Sequence, residues 1–278
     1  MPRGNVLPEG EVLVMVYYGT TDVGKKRTAN QDTFMIKEYP GDVTLAVVCD
    51  GMGGANGGAT ASSLAVSTFV DHIDEYADVL AGMSPEPEGT RDNAISIPAV
   101  LENAVSAANL AVYAMSVSDP ELNGMGTTLV SVLATDKYVF AVNVGDSRMY
   151  LIDKNGIRQI TRDHSYVQHL IDLGRLSPRK ARTARNKNII TRAVGTEETV
   201  RADVFRIERK PSDDGGPTYV LLCTDGLTNM AEPEEIAAIV ALEESADSDS
   251  LKEAAERLIQ LANDRGGADN ITAVILAY

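Results

Sequence analysis

TLVSVLA-TDK-YVFAVNV, residues 128–144, decides the architecture. Two short apolar runs, 128–134 and 138–144, flank Thr135-Asp136-Lys137. Runs this short, rich in Val and Leu, read as strands buried on both faces. A three-residue connection makes them antiparallel neighbours. Working outward, the same signature recurs at VTLAVVC (43–49), MYLI (149–152), TYVLLC (218–223) and ITAVILA (271–277), and Asn155-Gly156 signals a second hairpin after the run ending at Asp153. Between these runs the period changes. Leu101, Val105, Ala108, Val112 and Met115 step by four and three, which predicts a one-faced helix over 98–118 with Pro98 in its first turn. Ala61, Ala65, Phe69 and Ile73 do the same over 57–76, and Leu251, Ala255, Leu258 and Ala262 over 251–263, where Ser250 and Glu253 predict a capping box. Doubly buried strands with one-faced helices predict an α+β fold of two stacked antiparallel sheets flanked by helices.

Composition bounds the function. The chain has 278 residues, 44% hydrophobic and 23% charged, enough to bury a sizeable core. Its 25 basic and 40 acidic residues give a net charge of −15, which argues against broad binding to nucleic acid or anionic membrane. Cys49 and Cys223 are too few for a disulfide framework. The N-terminal stretch lacks the sections of a secretion signal, and no apolar run approaches the about 20 residues of a membrane span. A reduced, soluble, cytoplasmic protein is expected. Residues 1–16 are expected to form a flexible arm, 81–97 a loop and 209–217 an exposed turn.

Acids fall at the ends of the apolar runs. Asp50-Gly51 closes one, Asp146 follows another, Asp225-Gly226 closes a third, Asp269-Asn270 opens the last, and Asp32 precedes Thr-Phe-Met-Ile. Any single Asp-Gly after a strand reads as a turn. Five acids at strand ends point further, because strand ends gather side chains from distant sequence. Carboxylates crowded there repel one another unless a cation offsets them. An all-oxygen donor set suits Mg²⁺ or Mn²⁺ rather than Zn²⁺.

In order along the chain, Thr21-Asp-Val-Gly-Lys-Lys-Arg27-Thr-Ala-Asn30-Gln31-Asp32, Asp50-Gly51-Met52-Gly53-Gly54, Gly126-Thr127-Thr128, Gly145-Asp146-Ser147-Arg148, Asp163-His164-Ser165, Ile190-Thr191-Arg192-Ala193-Val194-Gly195, Cys223-Thr224-Asp225-Gly226-Leu227 and Asp269-Asn270-Ile271-Thr272 resemble the motifs of the metal-dependent, type 2C protein serine/threonine phosphatases in their bacterial form. The resemblance spans roughly residues 17–278. It implies a four-layer α-β-β-α sandwich forming one domain, with a flap at about 163–196. It also implies a centre of two Mn²⁺ or Mg²⁺ ions, with a third in many bacterial members. Carried over by position, Asp50 bridges two ions, the Gly51 carbonyl ligates one, Asp225 and Asp269 hold the other, Asp32 acts directly or through water, Asp146 joins Asp225 at the third, and Arg27 grips the substrate phosphate. The implied chemistry is direct attack on phosphoserine or phosphothreonine by a hydroxide bridging the metals. The implied role is to oppose a bacterial serine/threonine kinase, acting on that kinase and its phosphorylated substrates.

Two departures and one charge run qualify the resemblance. Relatives often carry histidine after the second motif's Gly-Gly, where this chain has Ala55, so a general acid from that segment is missing and poor leaving groups are expected to suffer most. His164 reads first as a capping-region residue with a structural hydrogen bond. Cys49 and Cys223 read as small core residues, Cys49 aimed away from the acids by strand alternation, with Cys223 sharing the face of Asp225. Segment 173–196 holds Arg175, Arg179, Lys180, Arg182, Arg185, Lys187 and Arg192 and no acid. Recruitment of acidic or phosphorylated protein segments and a merely solvated face account for it equally well. It lacks the His-Pro pair common in relatives. A partner-switching phosphatase usually lacks the flap, an inactive binding module would have lost metal aspartates, and a nucleic-acid binder is opposed by the net charge.

Overall fold

The computed structural model describes residues 15–54, 56–86, 95–209, 216–241 and 246–278. The chain runs β1 (Val16–Asp22), β2 (Asp32–Tyr39), β3 (Val43–Met52), α1 (Gly57–Asp74), α2 (Ile97–Ser118), β4 (Gly126–Thr127), β5 (Leu129–Ala134), β6 (Tyr138–Val144), β7 (Arg148–Asp153) and β8 (Gly156–Gln159). It continues through α3 (Tyr166–Asp172), α4 (Pro178–Ala181), β9 (Asp203–Glu208), β10 (Tyr219–Cys223), α5 (Asp225–Thr228), α6 (Pro233–Val240), α7 (Ser248–Asp264) and β11 (Ile271–Ala277). One sheet has the order β1-β11-β10-β7-β8, and the other β2-β3-β5-β6-β9 with β4 paired to β3. Every strand pair is antiparallel. Both expected hairpins form: β5 with β6, and β7 with β8.

The alternation of each strand sorts its side chains into three apolar layers. Even-numbered residues of β3 (Ala46, Val48), β10 (Val220, Leu222) and β11 (Val274, Leu276) pack between the sheets with Val130, Val132, Val139 and Ala141. Odd-numbered residues of β3 (Val43, Leu45, Val47, Cys49) pack outward with Leu133 and Phe140 against α1 and α2. Leu221, Cys223, Ala273 and Ile275 face α6 and α7 on the other side. This is the four-layer sandwich. Burying a Val or Leu contributes about 1.5–3 kcal/mol, so a one-residue slip of β3, which would swap every such position, is strongly disfavoured. The same register sets Asp50, next after Val48 on its face, at the end of the space between the sheets.

α2 is long and apolar enough by composition to span a membrane, yet Leu101, Val105, Ala108 and Val112 are packed inside the helix-side core. α7 corrects the expected cap. It begins at Ser248, and Asp247, not Ser250, is the N-cap, its carboxylate accepting from the Ser250 N–H at 2.8 Å. Asp247 lies three residues ahead and satisfies the free N–H groups of the extra first turn. Of the arm expected over 1–16, residues 1–14 lie outside the described residues, while Met15 is buried and Val16 already belongs to β1. Residues 87–94 of the expected 81–97 loop and 210–215 of the expected 209–217 turn also lie outside the described residues.

Candidate active site

Asp32 opens β2 directly across from Asp50 on β3. Asp146 sits in the turn from β6 to β7, Asp225 begins α5 just past the end of β10, and Asp269 precedes β11. Antiparallel pairing brings these strand ends to one end of the sandwich. There Arg27, Asp50, Gly51, Asp146, Asp225 and Asp269 line a cleft of about 810 Å³. Asp32 lies behind that wall, 7% exposed, and its Oδ2 accepts from the Thr224 and Thr272 hydroxyls at 2.9 and 2.7 Å. Thus six of the seven residues picked out in the sequence line one cleft, and the seventh backs it.

Close backbone contact holds the segments together. A Cβ at Gly226 would stand 1.9 Å from the Asn270 carbonyl oxygen, so only glycine lets the start of α5 approach the residue after Asp269. Asn270 then donates to the Val23 and Ala29 carbonyls at 2.9 and 3.0 Å and accepts from the Gln31 N–H at 2.8 Å, fixing the loop that carries Arg27. Thr128 joins two acidic segments: its hydroxyl accepts from the Asp50 N–H at 2.9 Å and lies 2.7 Å from the Ser147 hydroxyl, beside Asp146. Sequence reasoning passed over Thr128, Thr224, Thr272 and the part played by Asn270. The available signal was their placement next to the acids inside otherwise apolar runs, where a hydroxyl has no reason to be buried alone.

The electrostatics are those of a site built for positive charge. Burial pushes the Asp50 carboxyl well above its usual range, and Asp32 adds repulsion. Burial also raises Asp32 to about 7, against the pull of its threonine hydrogen bonds. Asp146 is raised to about 8 by burial and by Asp225, and Asp225 to about 6 by burial and by Asp269. One oxygen each of Asp32, Asp146 and Asp225 is buried without a hydrogen-bond partner. Buried, partnerless carboxylate oxygens that repel one another fit hard divalent cations. Among the described residues no three acidic, His or Cys side chains stand together as one ion's ligand set. The reason is local. Asp269 is turned onto Arg27, which donates from Nη2 at 2.9 Å with Nε 2.8 Å away, and Asp32 is turned onto its threonines. The carboxylate of Asp269 serves either the guanidinium or an ion.

The cleft is also lined by Asn188, Ile190, Thr191, Arg192 and Ala193 from the segment after α4. His164 joins this segment to the Asp146 turn. Its N–H donates to the Gly145 carbonyl at 2.9 Å, its Nδ1 accepts from the Gly145 N–H at 3.0 Å, and its carbonyl accepts from Thr191 N–H at 2.8 Å. Nε2 lies 3.1 Å from Asp203, which also pairs with Arg192 at 2.8 Å. Buried, with its pKa lowered chiefly by desolvation, His164 has the structural role expected of it. Cys49 and Cys223 are free and fully buried in the two different helix-side cores. It is Thr224, not Cys223, whose side chain turns inward to Asp32. Ala55 lies outside the described residues.

An α-β-β-α sandwich whose end cleft is lined by carboxylates and an arginine suits metal-dependent phosphoryl chemistry. The Protein phosphatase 2C family model matches residues 23–272, and the chain belongs to that family. It is 36% identical over 256 residues to the serine/threonine phosphatase stp of Listeria monocytogenes serotype 4b (strain F2365), covering 92% of this chain and 93% of that protein. The crystal structure of serine/threonine phosphatase Stp1 from Staphylococcus aureus superposes with a TM-score of 0.78 at 32% identity, over 100% of this chain and 99% of that one. The catalytic domain of the serine threonine protein phosphatase PstP, in complex with two manganese ions, gives a TM-score of 0.74 at 32% identity, over 95% and 97% of the two chains.

Proposed function

We propose that this chain hydrolyses phosphoserine and phosphothreonine in proteins, in the cytoplasm, as a metal-dependent phosphatase opposing a bacterial serine/threonine kinase. One observation carries the reading: acids from separate segments converge on one cleft with buried oxygens lacking partners, beside an arginine. Asp50, the Gly51 carbonyl, Asp225 and Asp269 would hold two Mn²⁺ or Mg²⁺ ions, and Asp146 with Asp225 a third. Bound there, divalent cations supply a water of lowered pKa and offset charge on the phosphoryl group. Arg27, planar and permanently charged, pairs with two phosphate oxygens as it now pairs with Asp269. Asp32, held through one oxygen by Thr224 and Thr272, has its other oxygen buried without a partner and would act on the ions directly or through water. Among the described residues no Cys or His lines the cleft, and both cysteines are buried. That argues against a phosphoenzyme on either residue type and is consistent with direct attack of water on phosphorus, the reaction the family resemblance implies. The retained segment after α4 favours this reading over a partner-switching phosphatase, and the retained aspartates favour it over an inactive module. The test is phosphate release from a phosphothreonine peptide with Mn²⁺, with chelator, and in Asp50→Asn. Release should need the metal and fall by at least about a hundredfold in the variant. Undiminished release by Asp50→Asn would refute the assignment.

A further inference from the structure

The segment 173–196 holds seven of the chain's 25 basic residues and none of its 40 acids, so the remaining chain carries 18 cations against 40 anions. The structure divides the seven. Arg182 is used internally: it donates to the Ala231 carbonyl at 3.0 Å and pairs with Glu232 at 2.9 Å. Lys187 donates to Asn229 at 2.7 Å, and Arg192 is held by Asp203. Arg175, Arg179, Lys180 and Arg185 remain. All four are exposed, and none forms an ion pair among the described residues. Arg179 and Lys180 lie in α4, Arg175 and Arg185 flank it, and the chain that follows lines the cleft from Asn188 to Ala193. The three tied cations anchor the segment to the residues just after Asp225 and to β9, so the four free ones are carried on a fixed support beside the cleft.

We propose that these four cations select the substrate: phosphoproteins whose phosphorylated residue is flanked by Asp or Glu. This rests on the phosphatase reading above and names the substrate class of that site. In a chain this acidic, an acidic protein segment is repelled from most of the surface. An unpaired basic patch next to the cleft gives it one favourable approach, and the surrounding negative field discourages others. The occupant is a flanking peptide segment rather than a nucleic acid or membrane, because four cations beside an acid-lined cleft offer a short polypeptide its countercharge but leave a long polyanion facing net negative charge.

The experiment compares a phosphothreonine peptide flanked by Glu, the same peptide flanked by Gln, and 4-nitrophenyl phosphate, with Mn²⁺. Four exposed pairings of a few tenths of a kcal/mol each predict about a tenfold preference in kcat/KM for the Glu-flanked peptide at low salt. Added salt should erode it. The quadruple variant R175S/R179S/K180S/R185S should abolish the preference through KM and leave 4-nitrophenyl phosphate turnover intact, which also reports that the site is folded. Equal turnover of the two peptides by the unaltered protein at low salt overturns the proposal without any variant. So does an equal loss on all three substrates, or tight binding of single-stranded DNA or anionic vesicles with no peptide preference. If none of the three substrates is turned over, the phosphatase reading itself fails. Turnover without preference removes only the selection.

Discussion

Asp146 offers the sharpest test of the charge argument, because it can be read without any turnover. The side chain is 7% exposed and one of its oxygens has no partner. Burial, with repulsion from Asp225, pushes it to about 8. In the unfolded chain an aspartate titrates near about 3.9. Between those values the folded protein keeps a proton that the unfolded chain releases. The sign follows. The contribution of Asp146 to stability is fully present below about pH 3.9 and declines by about 1.4 kcal/mol per pH unit until the folded group ionises near pH 8. Asp146→Asn removes the titration while preserving shape. In chelator, the variant should match the parent below about pH 3.9, already exceed it at pH 5, and exceed it increasingly from pH 5 toward pH 8. Three pH units correspond to at most about 4 kcal/mol, or about 8 °C in Tm for a chain of this size. Asp32 and His164 titrate in both proteins, whereas Asp225 and Asp50 are relieved of repulsion from Asp146 in the variant, which adds to its advantage at the high-pH end. Mn²⁺ should then invert the order, raising the parent's Tm more than the variant's, since an ion bound only by the folded state stabilises it. A Tm gap that does not change with pH, or a variant less stable than the parent at pH 8 in chelator, would refute the reasoning.

Thr128→Val keeps the volume but leaves the buried Asp50 N–H without its 2.9 Å acceptor. It should cost about 1–3 kcal/mol in denaturant unfolding and weaken Mn²⁺ binding by calorimetry, and an unchanged affinity would remove Thr128 from the site. Gly226→Ala would place a methyl 1.9 Å from the Asn270 carbonyl oxygen. Separating α5 from the Asp269 segment should cost about 3 kcal/mol, visible as a lowered Tm, and a tolerant alanine would show that the close approach is dispensable.

The strands that sequence periodicity located are those buried on both faces. β3, β5, β6, β10 and β11 lie inside their sheets, where an unbroken apolar run is what two apolar neighbours demand, and β7 was found by its shorter run MYLI although Leu151 is half-buried. β1, β2 and β9 escaped because they are sheet edges with half-exposed residues, such as VYYGTTD and DTFMIKEY. Their apolar content is too low to stand out, and the partner of β1 is set by tertiary packing: β1 pairs with β11, 249 residues away at Asp22 and Ile271. α7 began earlier than its periodicity implied because Ser, Asp and Ser in succession offer competing caps, and only the fold selects Asp247.

The site was legible for a different reason. Acids that end buried strands stand out against apolar sequence, so Asp50, Asp225 and Asp269 could be picked out before their positions were known. What holds them could not. Thr272 reads as one more β-branched residue in ITAVILA, yet alternation turns it inward with Val274 and Leu276, and its hydroxyl is spent on Asp32. Arg182 read as one of seven equivalent cations, and only its contact with the Ala231 carbonyl and Glu232 separates it from Arg179. The distinction changes the experiment. Reversing Arg182 would loosen the support of the cleft wall and depress every substrate alike, whereas the exposed cations can be neutralised with that support in place. A charge run therefore becomes a hypothesis about recognition only after the cations that the fold itself consumes have been subtracted.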